Sequence, residues 1–315
     1  MQDRKNSVLR DRAQMFSRVR AFFEEREILE VDCPILIRTA SIDAYIDLIS
    51  ALYAGRRKFY LHSSPEYGMK RLLVSGIGDI YQFSHVFRDG ECGDWHNPEF
   101  MMAEWYRVGM SFQDLIIEAV DFVRLFLGRF PLKRISYREA FQRFLGVDYL
   151  NISYRELLQC LEKYSILFRS EDCFEDKDAL LHLLMSHAIE PHFQGEAFWV
   201  LEDYPASQAA LSRTREKEGR MVAERFEIYF QGVELANGYH ELADADEQRR
   251  RFLFANEKRK ELGKEALPID ENFLKSLEEG LPDCCGVSVG FDRLMMLRHK
   301  AASVSEVIPF GWEES

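Results

Sequence analysis

Ile80-Tyr81-Gln82-Phe83-Ser84-His85-Val86-Phe87, the polar stretch Arg88-Asp89-Gly90-Glu91-Cys92-Gly93-Asp94, and Glu99-Phe100-Met101-Met102-Ala103-Glu104-Trp105-Tyr106-Arg107-Val108 decide the fold. The two outer runs are rich in aromatic and β-branched residues and predict long strands over 80–87 and 99–108. The Gly-containing stretch between them reads as a hairpin loop. On the second strand, Glu99 and Glu104 are an odd number of residues apart and face opposite sides, whereas Glu104 and Tyr106 share a face.

Upstream, Leu9, Ala13, Phe16, Val19 and Phe23 recur at helical spacing, so the first element is an amphipathic helix. Residues 28–35 are extended by composition, and Pro34 keeps them from helicity. Lys58 to His62 reads as a strand, and Ser63-Ser64-Pro65-Glu66 opens a helix with proline in its first turn. Downstream, 111–190 is expected to be mostly helical, with capping boxes at Ser136–Glu139 and Ser153–Glu156. Strand character returns at 197–203 and 224–242. A helix is expected over 245–262, a short strand over 287–291 and a closing helix over 292–300. No internal repeat or Gly/Ser/Pro-rich linker occurs. Paired strands with helices between them imply an α+β fold with an antiparallel sheet flanked by helices, not alternating βαβ. A single domain over 1–315 with a helical insertion at about 130–195 is the simplest organisation.

The 315 residues carry 41 basic and 53 acidic side chains, a net charge of −12, which weighs against broad binding to a phosphate backbone. The six cysteines (Cys33, Cys92, Cys160, Cys173, Cys284, Cys285) form no C-x-x-C pair and suggest a reducing compartment. Charge at the N-terminus, where a signal peptide needs an apolar run, and the lack of a long apolar span predict a soluble, cytoplasmic protein without a membrane partner.

Several signatures fail. Gly76-Ile77-Gly78 lacks the third glycine of a dinucleotide loop, and His182 and His187 have the wrong spacing for a metalloprotease helix. Gly286-Val287-Ser288-Val289-Gly290 spells the hydrolase elbow, but only 289–315 follow, too little chain to deliver both triad partners. Four polar clusters remain inside apolar runs: Arg88 with Glu91; Asn97-Pro98-Glu99-Phe100 with Glu104 and Tyr106; Glu234 to Glu241; and Gly290-Phe291-Asp292-Arg293. Taken alone, each charge reads as a solvated cross-strand partner. Together, acids and arginines without paired cysteines or histidines point to Mg²⁺ and phosphate chemistry. Glu234 and Glu241 are also oddly spaced, so a bulge or turn at Asn237-Gly238 is needed to bring them to one site.

The pattern resembles the catalytic core of a class II aminoacyl-tRNA synthetase of the lysyl subgroup, over nearly the whole chain. The first motif lies at Phe22-Phe23 through Glu30-Val31-Asp32-Cys33-Pro34, with Glu27 where glycine is common. The second spans Val86 to Glu91 and closes with His96-Asn97-Pro98-Glu99-Phe100. The third runs from Gly286 to Leu297. Within the class it is similar to the elongation factor P lysine ligases, lysyl-tRNA synthetase paralogues that modify a protein. Four features carry this. The sequence begins at the first-motif helix, which predicts no preceding anticodon-binding OB domain. Ser64-Pro65-Glu66-Tyr67 matches their S-P-E-Y, and Pro205-Ala206-Ser207-Gln208 resembles a P-A-S-Q segment. Ser288 stands where the tRNA enzymes have glycine and many ligases alanine.

The resemblance implies that Arg88 and Arg293 are catalytic. Arg88 would grip the α-phosphate, while Arg293 would sandwich the adenine with Phe100 and reach the terminal phosphates. Glu91 would read the adenine amino group, although the common motif places this acid one residue earlier. Asn97, Glu234, Leu235 and Gly290 complete the implied ATP set, with Glu234 and Glu241 on Mg²⁺. Ser64, Glu66, Tyr106 and Glu241 would hold the amino acid, with Glu104 a weaker candidate. His96 and His240 read as structural. The implied reaction activates a lysine-type amino acid, (R)-β-lysine in the ligases, as an adenylate and transfers it to a lysine of elongation factor P. The implied oligomer is a homodimer, with tRNA disfavoured as partner. A truncated lysyl-tRNA synthetase and a silent synthetase-like subunit are the alternatives; the latter predicts lost ATP ligands, yet Arg88, Glu234, Glu241 and Arg293 are present.

Overall fold

A computed structural model describes residues 2–39, 41–167 and 176–315; Cys173 and part of the expected insertion lie outside the described residues. The chain divides into two compact units, Met1–Gly128 with Glu241–Ser315, and Arg129–His240.

The first unit opens with helix α1 (Gln2–Glu24), which buries Val8, Met15, Val19, Phe22 and Phe23 at helical spacing. Strands β1 (Leu29–Glu30), β2 (Leu36–Ile37), β3 (Ser50–Tyr53) and β4 (Arg57–Leu61) follow, and β2-β4-β3 form a small antiparallel sheet. Helix α2 (Glu66–Val74) starts after Pro65, which sits at the N-cap rather than inside the first turn. Strands β5 (Ile80–Phe87) and β6 (Glu99–Val108) pair antiparallel, with Gln82 opposite Glu104 and Ile80 opposite Tyr106. Helix α3 (Phe112–Leu127) is capped by Ser111, whose hydroxyl accepts from the Asp114 N–H at 3.1 Å.

The second unit begins with β7 (Leu132–Ser136) and α4 (Tyr137–Ala140), the latter running into a π-helical turn at Phe141–Leu145. Helices α5 (Tyr154–Lys163) and α6 (Lys177–Leu184) and a second π-helical turn at Met185–Ile189 follow. Both capping boxes form, at Ser136/Glu139 and Ser153/Glu156. The helices pack their apolar faces, with Phe141, Leu157, Leu184 and Phe193, against Trp199, Leu201 and Tyr229 of the strands. Those strands are β8 (Phe198–Pro205), β9 (Thr214–Lys217), β10 (Arg220–Phe230) and β11 (Val233–His240). Their order is β11-β10-β8-β7 with β9 beside β10, and only β7 and β8 run parallel.

Back in the first unit follow α7 (Ala245–Glu261), α8 (Glu271–Gly280), β12 (Cys284–Gly290) and α9 (Phe291–His299). Strand β12 pairs antiparallel with β6, which gives the order β1-β5-β6-β12. An aromatic core lies against this sheet: Phe23 stacks on Tyr81 at 4.0 Å and Phe16 on Phe291 at 4.4 Å, with Trp105 and Phe122 between them.

Strands and helices thus segregate as the α+β reading requires. The expected run over 224–242 is a hairpin, because Gln231 and Gly232 take left-handed φ of 52° and 76° between β10 and β11. The expected bulge at Asn237-Gly238 is elsewhere. Ile228 pairs with Ala236 and Tyr229 with Glu234, so Leu235 is the extra residue, while Asn237 and Gly238 are in regular register. Among the described residues no helix is long and apolar enough to cross a membrane.

Candidate active site

The first unit gathers an acidic cluster below its sheet. Ser64 stands just ahead of α2; its hydroxyl accepts from the Glu66 N–H at 3.0 Å and donates to Glu104 Oε2 at 2.7 Å. The phenol of Tyr106 donates to Glu104 Oε1, also at 2.7 Å, as the shared strand face required. Glu66 is fixed one helical turn from Lys70, whose Nζ lies 2.5 Å from Glu66 Oε1 and 2.5 Å from Glu241 Oε2. Glu241 is anchored through its own N–H, which donates to the Cys284 carbonyl of β12 at 3.0 Å. All five side chains from Glu66 to Glu241 are buried, and Lys70 is 0% exposed.

Burial dominates the electrostatics. It lifts the Glu104 carboxyl to about 7, helped by the nearby Glu66 charge and opposed by the bonds from Tyr106 and Ser64. It lifts Glu241 to about 8 against the attraction of Lys70. Burial alone would lower Lys70, but the Glu241 and Glu66 carboxylates outweigh it and keep the ammonium charged. Three acids therefore face one cation. Gly286 of β12 closes the cluster: a Cβ there would lie 2.5 Å from Glu241 Oε1 and would overlap the Tyr106 ring. Sequence reasoning singled out neither Lys70 nor Gly286 for this cluster and held Glu104 a weaker candidate than Ser64, Glu66, Tyr106 and Glu241. The signal for Lys70 was present, as the i,i+4 partner of Glu66 flanked by Met69 and Leu73, which are buried.

A second group in the same unit is more open. The Arg88 guanidinium lies 5.1 Å over the Phe100 ring and 3.6 Å from Glu91. Its buried Nε has no hydrogen-bond acceptor among the described residues, which suits a guanidinium that receives an anion. Gly90 takes φ of 76°, the left-handed backbone that lets the loop carry Glu91 one residue late. Asn97 donates to the Glu99 carbonyl at 2.7 Å and accepts from the Trp312 N–H at 3.0 Å, so its amide is used in tying the loop. Arg293 on α9 meets His96 Nε2 at 2.8 Å; burial and the Arg293 charge hold His96 below its ordinary range, so the ring is a neutral acceptor. At Gly290 a Cβ would meet nothing nearer than 3.8 Å, so its bareness serves no packing need of the chain itself.

Helix α9 is fixed from beneath. Asp292 is buried 2.5 Å from Arg12 of α1 and accepts from the Met101 N–H of β6 at 2.8 Å. Glu234 and Leu235 belong to the second unit, where Leu235 is the bulged residue of β11. Among the described residues no group of three or more His, Cys, Asp or Glu is arranged to hold a metal ion. Glu241, the other acid expected on Mg²⁺, is buried with its Oε2 engaged at 2.5 Å by Lys70 Nζ.

An antiparallel sheet carrying a strand–loop–strand arginine and a second arginine on the helix after β12 defines a class II synthetase catalytic fold. The profile of the class II tRNA synthetases (D, K and N) matches residues 1–314, and the chain belongs to that family. Relatives from Haemophilus influenzae, Klebsiella pneumoniae and Salmonella paratyphi B, each named elongation factor P–(R)-β-lysine ligase, are 41%, 42% and 41% identical to it. Each alignment covers 95% of this chain and 93% of the relative.

Proposed function

We propose that this chain is an ATP-dependent ligase that activates a lysine-type amino acid, (R)-β-lysine by kinship with its relatives, and transfers it to a lysine of elongation factor P. The observation that carries the reading is the buried cluster of Glu66, Glu104 and Glu241 around one ammonium. With all three acids ionised it keeps two surplus negative charges, which complement the two ammonium groups of a lysine-type substrate.

The substrate carboxylate attacks the α-phosphorus of ATP, forming an acyl-adenylate and releasing pyrophosphate. The neutral amine of the target lysine then attacks the acyl carbon, forms an amide, and releases AMP and a proton. Glu66, Glu104, Tyr106 and Glu241, with Ser64 steadying Glu104, orient the amino acid; Arg88 neutralises charge that gathers on the α-phosphate, and Arg293 holds the nucleotide with Phe100. Glu91, Asn97 and Gly290 complete the nucleotide's surroundings in the first unit. Mg²⁺ would supply charge neutralisation on the phosphates and needs only one or two carboxylates besides the phosphate oxygens. A homodimer and a cytoplasmic setting belong to the same reading, the former supported by Leu29, Ile35 and Leu36, which are exposed at 51%, 38% and 44% beside the first-motif helix.

The test is mass spectrometry of elongation factor P after incubation with the enzyme, ATP, Mg²⁺ and each lysine isomer, with tRNA offered in parallel. A mass increment of one lysyl residue on elongation factor P supports the reading. Charging of tRNA in its place refutes it.

A further inference from the structure

Lys70 has no part in the chemistry just described, yet it is the residue that joins the acids of the pocket. It lies on α2 one turn beyond Glu66, is 0% exposed, and places one ammonium 2.5 Å from both Glu66 and Glu241, residues from distant parts of the chain. We propose that Lys70 is a positioning residue of the amino-acid pocket: its ammonium clamps Glu66 to Glu241 and keeps the pocket's carboxylates spaced to receive two ammonium groups. The inference rests on the functional reading above and goes beyond it by assigning the pocket its internal counter-ion.

The geometry carries the argument. A buried ammonium needs carboxylate partners, and buried carboxylates facing one another need a cation, or they take up protons. Every titratable group that faces Lys70 makes this demand sharper. Glu66 comes from its own helix, Glu104 and Tyr106 from β6, Glu241 from the segment after β11, and Cys284 from β12. Burial and the neighbouring carboxylates hold the Tyr106 phenol and the Cys284 thiol well above their ordinary values, so neither adds charge. One cation against three acids leaves the cluster short of positive charge. With Lys70 absent, Glu104 and Glu241, already raised to about 7 and 8 beside it, would hold protons more tightly still, and a diammonium ligand would have to expel them at greater cost in order to bind. A lysine that merely held the fold would affect stability and every substrate alike, with no dependence on pH.

The experiment is amino-acid-dependent ATP–pyrophosphate exchange with L-lysine and (R)-β-lysine, run from pH 6.5 to 9 on the wild type, Lys70→Met and Lys70→Arg. For Lys70→Met the amino-acid KM is expected to rise about tenfold at pH 7, the equivalent of one displaced proton over one pKa unit. The difference should narrow toward pH 9, with the ATP KM within twofold of wild type throughout. Lys70→Arg keeps the charge and is expected to keep the wild-type shape of the pH profile, whatever its misfit does to KM. An unchanged KM for Lys70→Met, or a difference of equal size at every pH, overturns the proposal. Should both variants fail to fold, lysine-¹⁵N NMR of the wild type decides. The slowly exchanging ammonium signal of the buried lysine should move when L-lysine is added and stay still with ATP alone, and a signal indifferent to L-lysine overturns the proposal. Wild-type enzyme with no lysine-dependent exchange overturns the functional reading itself, an outcome distinct from the others.

Discussion

A single methyl group at Gly286 tests whether the acidic cluster is the amino-acid pocket. Gly286 faces Tyr106 across the β6–β12 pairing, and a Cβ on it would lie 2.5 Å from Glu241 Oε1 and still closer to the Tyr106 ring. Ordinary van der Waals contact begins near 3.4 Å, so the neighbours must yield by about 1 Å. Neither can yield freely. The Tyr106 ring is buried with its hydroxyl 2.7 Å from Glu104, and Glu241 is tied to Lys70 and, through its backbone, to Cys284. Overpacking of this kind costs about 1–3 kcal/mol, and a lost hydrogen bond to a charged group about 1.5–3 kcal/mol. At about 1.4 kcal/mol per factor of ten, Gly286→Ala is expected to raise the lysine KM in pyrophosphate exchange by about 10- to 100-fold. The ATP KM should stay within twofold, since Arg88 is held by Glu91 and Phe100 and Arg293 by His96. A folded variant with an unchanged lysine KM, or with both KM values raised together, refutes the assignment of this cluster to the amino acid.

The buried Arg12–Asp292 pair and the raised carboxyls each set a further outcome. Arg12→Met leaves Asp292 buried without its cation, which costs about 3–5 kcal/mol. Thermal unfolding should show a midpoint lower by on the order of 10 °C, and the double variant Arg12→Met/Asp292→Leu should recover much of it. The raised Glu104 and Glu241 carboxyls set a sign for pH dependence. Both bind protons more tightly folded than unfolded, so their contribution to stability is whole below about pH 4.5 and is lost as pH rises through about 7 and 8. Added L-lysine, which favours the ionised carboxylates, is therefore expected to raise the melting midpoint more at pH 8 than at pH 6, and calorimetry at the two pH values checks this.

How much of this was legible depended on where the apolar pattern was strong. Strands 80–87 and 99–108 emerge at the expected bounds because their aromatic and β-branched content leaves no helical alternative. Both capping boxes form because the signal is local, four residues with reciprocal hydrogen bonds. Strands β7 and β9, Leu-Lys-Arg-Ile-Ser and Thr-Arg-Glu-Lys, carry too few apolar residues to alternate, and only neighbouring strands make them extended. Helix α8 was missed although Asp270 caps it and Phe273, Leu274 and Leu277 bury one face. Lys70 was passed over for a physical reason: an i,i+4 Glu–Lys pair is by default a solvated surface pair. Its burial depends on a second acid, Glu241, far along the chain. The bulge fell at Leu235 because register is a property of two strands, and β11 alone does not reveal which residue β10 leaves unpaired.

On the proposed function, the acidic cluster and the arginine group differ in wetness because of what each must do. Discrimination among amino acids of similar length requires charges that are strong and fixed, and charges are strong where water is excluded. Hence Glu66, Glu104, Glu241 and Lys70 are buried, with their hydrogen bonds made before any substrate arrives. A nucleotide that enters as a triphosphate and leaves in two pieces needs groups that can release as well as bind. Arg88 keeps a looser 3.6 Å contact with Glu91 and an uncommitted Nε, and Arg293 rests on a neutral His96, which orients the guanidinium without neutralising it. A carboxylate in place of His96 would hold Arg293 more firmly and weaken its pull on phosphate. On the proposed function, the buried charge serves the amino acid and the more open arginines serve the phosphates.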